Sequence, residues 1–222
     1  MIYANIATLP EREQYLKQVI ESIYNQVDVL EVSLNNYKAV PDWAKEFSKA
    51  TFTIRANEKG DGEKFLNAEY QDGYIFTIDD DLIYPPDYCR RMVEHVERYK
   101  RKVVVSLHGR TFNPRPIASY YKSRIKGYHW NNDQITDVRV HTAGTGVMCW
   151  HSDTIKIKYA DIKAANMADI WMGLFTERLG IPLMCVNHRT GWLRYILPDN
   201  IQTIYDVHYE SDVLQTEIWN QG

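Results

Sequence analysis

The segment at residues 73–86 (GYIFTIDDDLIYPP) constrains the chain more than any other. Residues 74–78 are a run of aromatic and β-branched side chains, which predicts a short buried strand. Three carboxylates, Asp79, Asp80 and Asp81, follow at once, and Pro85 and Pro86 stop any regular continuation. The two-residue period of a strand sends Asp79 and Asp81 to one side and Asp80 to the other. Carboxylates clustered at the end of a buried strand repel one another and raise their own pKa values. A divalent cation relieves that repulsion, and hard oxygen ligands suit Mg²⁺, Mn²⁺ or Ca²⁺. The competing reading is a solvated acidic turn in which Asp87 caps the next helix. Three aspartates alone do not separate the two.

The surrounding chain supplies a frame for that segment. Residues 2–7 read as a strand buried on both faces, and Leu16, Val19, Ile20 and Ile23 then recur at helical spacing. Thr8 is placed as the N-cap of that helix, with Pro10 in its first turn and Glu11 three residues on. Residues 30–34 form a second strand ending in Asn35, Asn36 and Tyr37, residues 41–50 a short helix, and residues 52–55 a third strand. This alternation predicts a parallel sheet with helical crossovers. In such sheets ligands bind beyond the carboxyl ends of the strands. Residues 8–12, 35–37, 55–64 and 79–81 all fall at strand ends, which puts four polar clusters on one sheet edge.

Within residues 57–65 (NEKGDGEKF), Gly60 and Gly62 permit backbone conformations that other residues avoid. Asp61 is suited to hydrogen-bond a base and Lys64 to pair with a phosphate, and a solvated charged loop is the plainer alternative. Residues 65–70 read as helical. An amphipathic helix follows over 88–100, then a buried strand over 103–107 that ends in His108, Gly109 and Arg110. Residues 111–137 have little periodicity and are rich in Tyr, Arg, Lys and Asn. They predict a long excursion over the sheet, where loops carry substrate contacts. Strands at 138–141 and 147–150 flank a glycine turn at 142–146. A helix at 170–179, ended by Gly180, leads to a last strand at 182–186 and a polar tail at 187–192. Beyond Leu197 the pattern weakens, and a helix is expected over 205–218.

Composition narrows the functional classes. With 222 residues the chain is long enough for one substantial core and predicts a single domain. A net charge of −3 gives no support to a nucleic-acid-binding surface. The 16 Tyr and 6 Trp suit a sugar or base site, although core packing accounts for most of them. Cys89, Cys149 and Cys185 lie far apart, show no metal-ligand spacing and read as reduced buried thiols. With no basic leader and no long apolar segment, the expectation is a cytoplasmic protein without a membrane span.

Six motifs in order carry a family resemblance: TLPER at 8–12, LNNY at 34–37, DGEKF at 61–65, the 74–86 segment, GTG at 144–146 and ADIW at 168–171. Over residues 2–195 the chain resembles a GT-A-fold glycosyltransferase of the broad family-2 type, which uses nucleotide-diphosphate sugars. It is most similar to the catalytic domains of bacterial hyaluronan and chondroitin polymerases, and it also resembles viral capsid-glycosylating enzymes. The resemblance implies an α/β, GT-A fold: a mostly parallel central sheet flanked by helices, with a Rossmann-like N-terminal half. Residues 1–107 would be the nucleotide-binding half, 108–196 the acceptor and catalytic half, and 197–222 a C-terminal tail. The implied activity is metal-dependent, inverting transfer from a UDP-sugar to a hydroxyl of a glycan or glycoprotein acceptor, with Mn²⁺ or Mg²⁺.

The resemblance also implies residue roles. Asp79, Asp80 and Asp81 take the place of the family's DxD motif. Asp81 is then the direct metal ligand, Asp79 supports it directly or through water, and Asp79 and Asp80 serve the donor. Thr8, Arg12, Asn36, Asp61 and Lys64 would line the nucleotide pocket. Gly144 and Gly146 would let backbone approach the donor sugar or acceptor, with His141 beside them, either on the sugar or as a structural histidine. Asp169 matches the carboxylate that acts as base before a late helix, although Ala168 stands where the family has a Glu. His188 would complete the metal shell. Two other classes compete. A nucleotidyltransferase would show a glycine-rich loop after the first strand, and residues 8–12 contain no glycine. Against a carbohydrate-binding module without turnover stand the intact acidic triplet and Asp169.

Overall fold

The computed structural model describes residues 1–198 and 209–222. Its first strands are β1 (Ile2–Thr8), β2 (Val29–Asn35), β3 (Ala50–Arg55), β4 (Tyr74–Ile78), β5 (Leu82–Ile83), β6 (Val104–Ser106) and β7 (Gly109–Phe112). They continue with β8 (Arg124–Tyr128), β9 (Val138–Val140), β10 (Thr142–Ala143), β11 (Val147–His151), β12 (Leu183–Cys185) and β13 (Arg194–Tyr195). The α-helices are α1 (Glu13–Ile23), α2 (Tyr88–Arg98), α3 (Ala168–Arg178) and α4 (Val213–Asn220).

The central layer is an eight-stranded sheet in the order β3-β2-β1-β4-β11-β6-β12-β9. β1 to β4 run parallel, as do β6 and β12. This is the mostly parallel α/β sheet expected from the alternating pattern. Two strands depart from it: β11 lies antiparallel between β4 and β6, and β9 closes the edge antiparallel to β12. An antiparallel strand starts at the edge where its neighbours end. Gly146, just before β11, therefore lands beside Asp79, whose backbone N–H donates to the Gly146 carbonyl at 3.2 Å.

Apolar stripes set the layers. Leu16, Val19, Ile20 and Ile23 of α1 are fully buried, and they share one core with Met92 and Val96 of α2 on the same face of the sheet. Each such side chain contributes about 1.5–3 kcal/mol of transfer free energy. The other face packs Phe65, Trp150, Met172 and Leu183. A third cluster (Phe112, Tyr120, Ile170, Leu174, Ile218, Trp219) ties the excursion after β6 to α3 and α4. That excursion is not wholly irregular. β7 and β8 form a hairpin that pairs with β10 in a separate three-stranded sheet.

Several local expectations are corrected. The helix expected over 41–50 is a 3₁₀ turn, Asp42–Glu46, and β3 starts at Ala50. In place of the helix expected over 65–70 stand two 3₁₀ turns, Gly60–Phe65 and Ala68–Tyr70. Gly60, with φ +57° in the left-handed region, opens the first of these turns. Thr8 caps nothing: Leu9 holds the cap position of the first 3₁₀ turn, and no side chain caps it. Of the helix expected over 205–218, residues 205–208 lie outside the described residues, and α4 covers the rest from Val213. The three cysteines are free and buried. No described helix is long and apolar enough to cross a membrane.

Candidate active site

A cleft of about 820 Å³ opens along the carboxyl edge of the parallel strands. Asp79 and Asp81 line it and Asp80 does not, as strand alternation requires. Asp80 is buried on the far side, where the Arg12 guanidinium donates to it at 2.6 Å and Thr8 hydrogen-bonds it as well. Arg12 also reaches Asp81, at 3.4 Å. Thr8 and Arg12 thus build a socket for the middle aspartate, and Arg12 shows its remaining face to the cleft.

Lys64 is buried and ion-paired to Asp79. Burial works against its ammonium, yet Asp79, Asp61 and Asp169 together hold its pKa above the usual lysine value. Asp79 is braced further through its backbone: its N–H points to the Tyr84 hydroxyl at 2.8 Å, and that hydroxyl donates to the Gly146 carbonyl at 2.6 Å. Gly146 is needed here for space, because a Cβ would sit 1.7 Å from Asp79 Oδ2.

Two carboxyls on this wall are under-compensated. Burial, then the like charges of Asp79 and Asp80, push Asp81 up to about 8 against Arg12 and Lys64. Burial pushes Asp61 up to about 7; Lys64 opposes this, while Asp169 and Asp79 add to it. The Asp61 carboxylate takes the Ala168 backbone N–H at the start of α3, while its Oδ1 finds no hydrogen-bond partner among the described residues. Asn166, at φ +58°, locks this loop to α3 by accepting the Asp61 backbone N–H at 3.3 Å.

Across the cleft, Asp169 sits in the first turn of α3, and the Thr145 hydroxyl donates to it at 3.1 Å. Burial raises its pKa, and Arg110, Lys64 and the Thr145 N–H pull it back. Arg110 is a buried guanidinium packed on the rings of Tyr120 and Tyr121, 5.4 and 5.3 Å from their centroids. His108 and His129 lie edge to face at 5.0 Å. Burial and Arg110 lower both of their pKa values, so both are neutral imidazoles at pH 7.

The structure brings Arg12, Asp61, Lys64, Asp79, Asp81, Gly144, Gly146 and Asp169 to one cleft. It does not bring Thr8, Asn36, Asp80 or His188 there. Asn36 is exposed at the end of β2 with φ +61°, and its backbone N–H donates to Arg55. Both ring nitrogens of His188 face backbone carbonyls, Val186 at 2.7 Å and His129 at 3.2 Å, and the side chain is not part of the cleft wall. His141 is structural: its Nδ1 accepts the Phe112 N–H at 2.9 Å. Asp87 precedes α2 without capping it, and accepts the Trp192 indole N–H instead.

Arg110, Tyr120, Tyr121, His129 and Gln215 line the cleft without having been singled out as site residues. A signal existed for Arg110, which follows a strand end. None existed for Gln215, which α4 carries in from the far end of the chain.

A divalent cation partly suits the donor set. Asp79 and Asp81 both offer hard oxygens to the cleft, and Asp81 is short of positive charge. Asp79, however, is engaged by Lys64, and no cluster of three or more His, Cys, Asp or Glu among the described residues is arranged to hold an ion. The set suits a cation held by one or two carboxylates, with phosphate oxygens and water filling the other positions, as Mg²⁺ is commonly bound.

Among curated proteins no match is found. The crystal structure of Staphylococcus aureus TarS 1-349 in complex with UDP-GlcNAc shares the fold at 11% identity and TM-score 0.54, over 90% of this chain and 60% of that one. The crystal structure of S. aureus TarS matches at 10% identity and TM-score 0.54, over 88% of this chain and 36% of that one. A nucleotidyl transferase from Methanothermobacter matches at 11% identity and TM-score 0.52, over 84% and 86%. This chain thus spans little more than a third to three fifths of the TarS chains. At such identities the likenesses show the fold alone, and the sheet hosts sugar and nucleotidyl transfer alike. The sequence decides between them: residues 6–152, more than half of the chain, match Glycosyl transferase family 2. This chain belongs to glycosyl transferase family 2, and its fold is the GT-A fold.

Proposed function

We propose that the chain transfers a sugar from a UDP-sugar to a hydroxyl of a glycan, with inversion at the anomeric carbon and with Mn²⁺ or Mg²⁺ at Asp81 and Asp79. The observation that carries this reading is Asp169, a carboxylate with a raised pKa on the wall of the same cleft as Asp79, Asp81 and Lys64. TarS 1-349 was crystallised with UDP-GlcNAc, which supports the donor class.

Each residue then has a task. Arg12 and Lys64 place positive charge where the diphosphate gathers negative charge as it leaves. The cation, when bound, acts there as a Lewis acid. Asp169 takes the proton from the acceptor hydroxyl while that oxygen bonds to the anomeric carbon. The bond from that carbon to the diphosphate oxygen breaks, and UDP departs with the electron pair. One carboxylate on the acceptor side suffices for this single displacement. Arg110, Lys64 and the Thr145 N–H favour the ionised form of Asp169 against its burial, and turnover falls on the acid side as Asp169 gains a proton.

Asp169→Asn tests the assignment. Turnover, measured as UDP release, should drop on the order of 10²-fold or more, the usual scale of general-base catalysis. UDP affinity should be unchanged. Near-normal turnover in the variant would move the base elsewhere, and a product NMR spectrum with retained anomeric configuration would refute the single displacement.

A further inference from the structure

We propose that Gln215 donates a hydrogen bond from its side-chain amide to a sugar oxygen, which makes α4 part of the saccharide-binding wall; this rests on the glycosyltransferase reading. Gln215 is 2% exposed and lines the cleft, and its Nε2 finds no partner among the described residues. Buried amide N–H groups are rarely left unpaired, because losing water without a replacement is costly. A buried donor on the wall of an open cleft is therefore a donor kept for a ligand.

The helix that carries it is held in place from both ends. Asp212 Oδ2 accepts from the Ser119 hydroxyl and the Tyr121 N–H, each at 2.7 Å. The Thr216 hydroxyl accepts the Tyr120 N–H at 2.9 Å, and Asn220 exchanges two hydrogen bonds with the Ile117 backbone. Trp219 packs on Phe112 and Tyr120. Asp212, Gln215, Thr216 and Trp219 follow the spacing of one helix face, so anchoring the first, third and fourth aims the second. Packing alone would be served as well by an apolar side chain at 215.

The chemistry of the surroundings names the ligand class. The amide is neutral and shares the cleft with the rings of Tyr120 and Tyr121 and with the Asp169 carboxylate. Neutral donors beside aromatic faces match the hydroxyl and acetamido oxygens of a saccharide. The donor's hexose and the acceptor glycan share that chemistry. Gln215 lies beyond the family match, which ends at residue 152.

The test uses calorimetry with UDP, UDP-glucose and UDP-N-acetylglucosamine in Mn²⁺ on the wild type, Gln215→Met and Gln215→Glu. UDP release with methyl glucoside and methyl N-acetylglucosaminide as acceptor probes runs in parallel. The Met variant keeps length and helix propensity, so thermal stability should hold. UDP affinity should be unchanged in all three proteins. Expected is a loss of about threefold to tenfold in one of two quantities. Loss of the affinity that the hexose adds over UDP identifies a donor contact. A raised KM for the glycoside with little change in kcat identifies an acceptor contact. Folded variants equal to wild type in both quantities overturn the proposal, as does a wild type in which neither hexose nor glycoside contributes. Absence of UDP binding to the wild type would instead sink the glycosyltransferase reading itself.

Discussion

On the wall that carries Asp79 the cations lie against carboxylates, Arg12 on Asp80 at 2.6 Å and Lys64 on Asp79. On the opposite wall Arg110 lies against two tyrosine rings, and no carboxylate among the described residues comes within ion-pair distance of it. The first wall is built from the ends of neighbouring parallel strands and holds more carboxylates than cations; burial first, and then the like charges nearby, leave Asp61 and Asp81 with raised pKa values. The second is assembled from the excursion after β6, the first turn of α3 and the inward face of α4. One wall is a compact charge network short of positive charge; the other is an aromatic and amide surface around one guanidinium. The first suits a diphosphate and its cation, and the second a sugar ring.

The sharpest way to break this contrast is Lys64→Met. If Lys64 serves the diphosphate, UDP affinity should fall about ten- to a hundredfold, the scale of a charge-assisted hydrogen bond of about 1.5–3 kcal/mol. Calorimetry on a folded variant with an unchanged Kd would return residues 57–65 to a merely structural loop.

A smaller effect should come from Asp212→Ala, which leaves the Tyr121 N–H and the Ser119 hydroxyl without their acceptor. Stability should drop by about 2 kcal/mol, read as a Tm lower by about 5 °C. UDP affinity should survive, because α4 touches only the second wall. A matching loss of UDP affinity would show that the two walls are not independent.

The last test is the pH dependence of the first wall. Asp61 and Asp81 titrate higher in the folded chain, at about 7 and about 8, than the ordinary aspartate value of 3.8. Their stabilising effect is therefore full at pH values below the unfolded pKa and is lost as pH rises through about 7 and about 8. With a chelator present, Tm should decline between about pH 5 and pH 8.5. Asp81→Asn should raise Tm at the upper pH and flatten the decline. A Tm that rises over that range would show that the two carboxyls are compensated after all.

What was legible in the sequence was what short-range periodicity controls. The run 74–78 is a strand because alternating β-branched and aromatic side chains fit a pleated buried surface, and the triplet after it splits by the same two-residue period. Leu16, Val19, Ile20 and Ile23 form one buried stripe because a helix turns every 3.6 residues. The rule that loops at carboxyl strand ends meet on one edge needs only the order of elements, and it placed Asp61, Lys64, Asp79 and Asp81 together. Tertiary structure alone decided the rest, because it depends on contacts between residues far apart in the chain. The direction of β11 sets Gly146 against Asp79, and nothing in residues 147–151 encodes it. Arg12, 68 residues before Asp80, supplies the partner that the middle carboxylate meets on the far side. His188 looks like a free ligand until the fold buries it outside the cleft, with its ring between the carbonyls of Val186 and His129. Gln215 is one amide on a short helix, and it becomes a wall of the site only because Ser119, Tyr120 and Tyr121 bind that helix down.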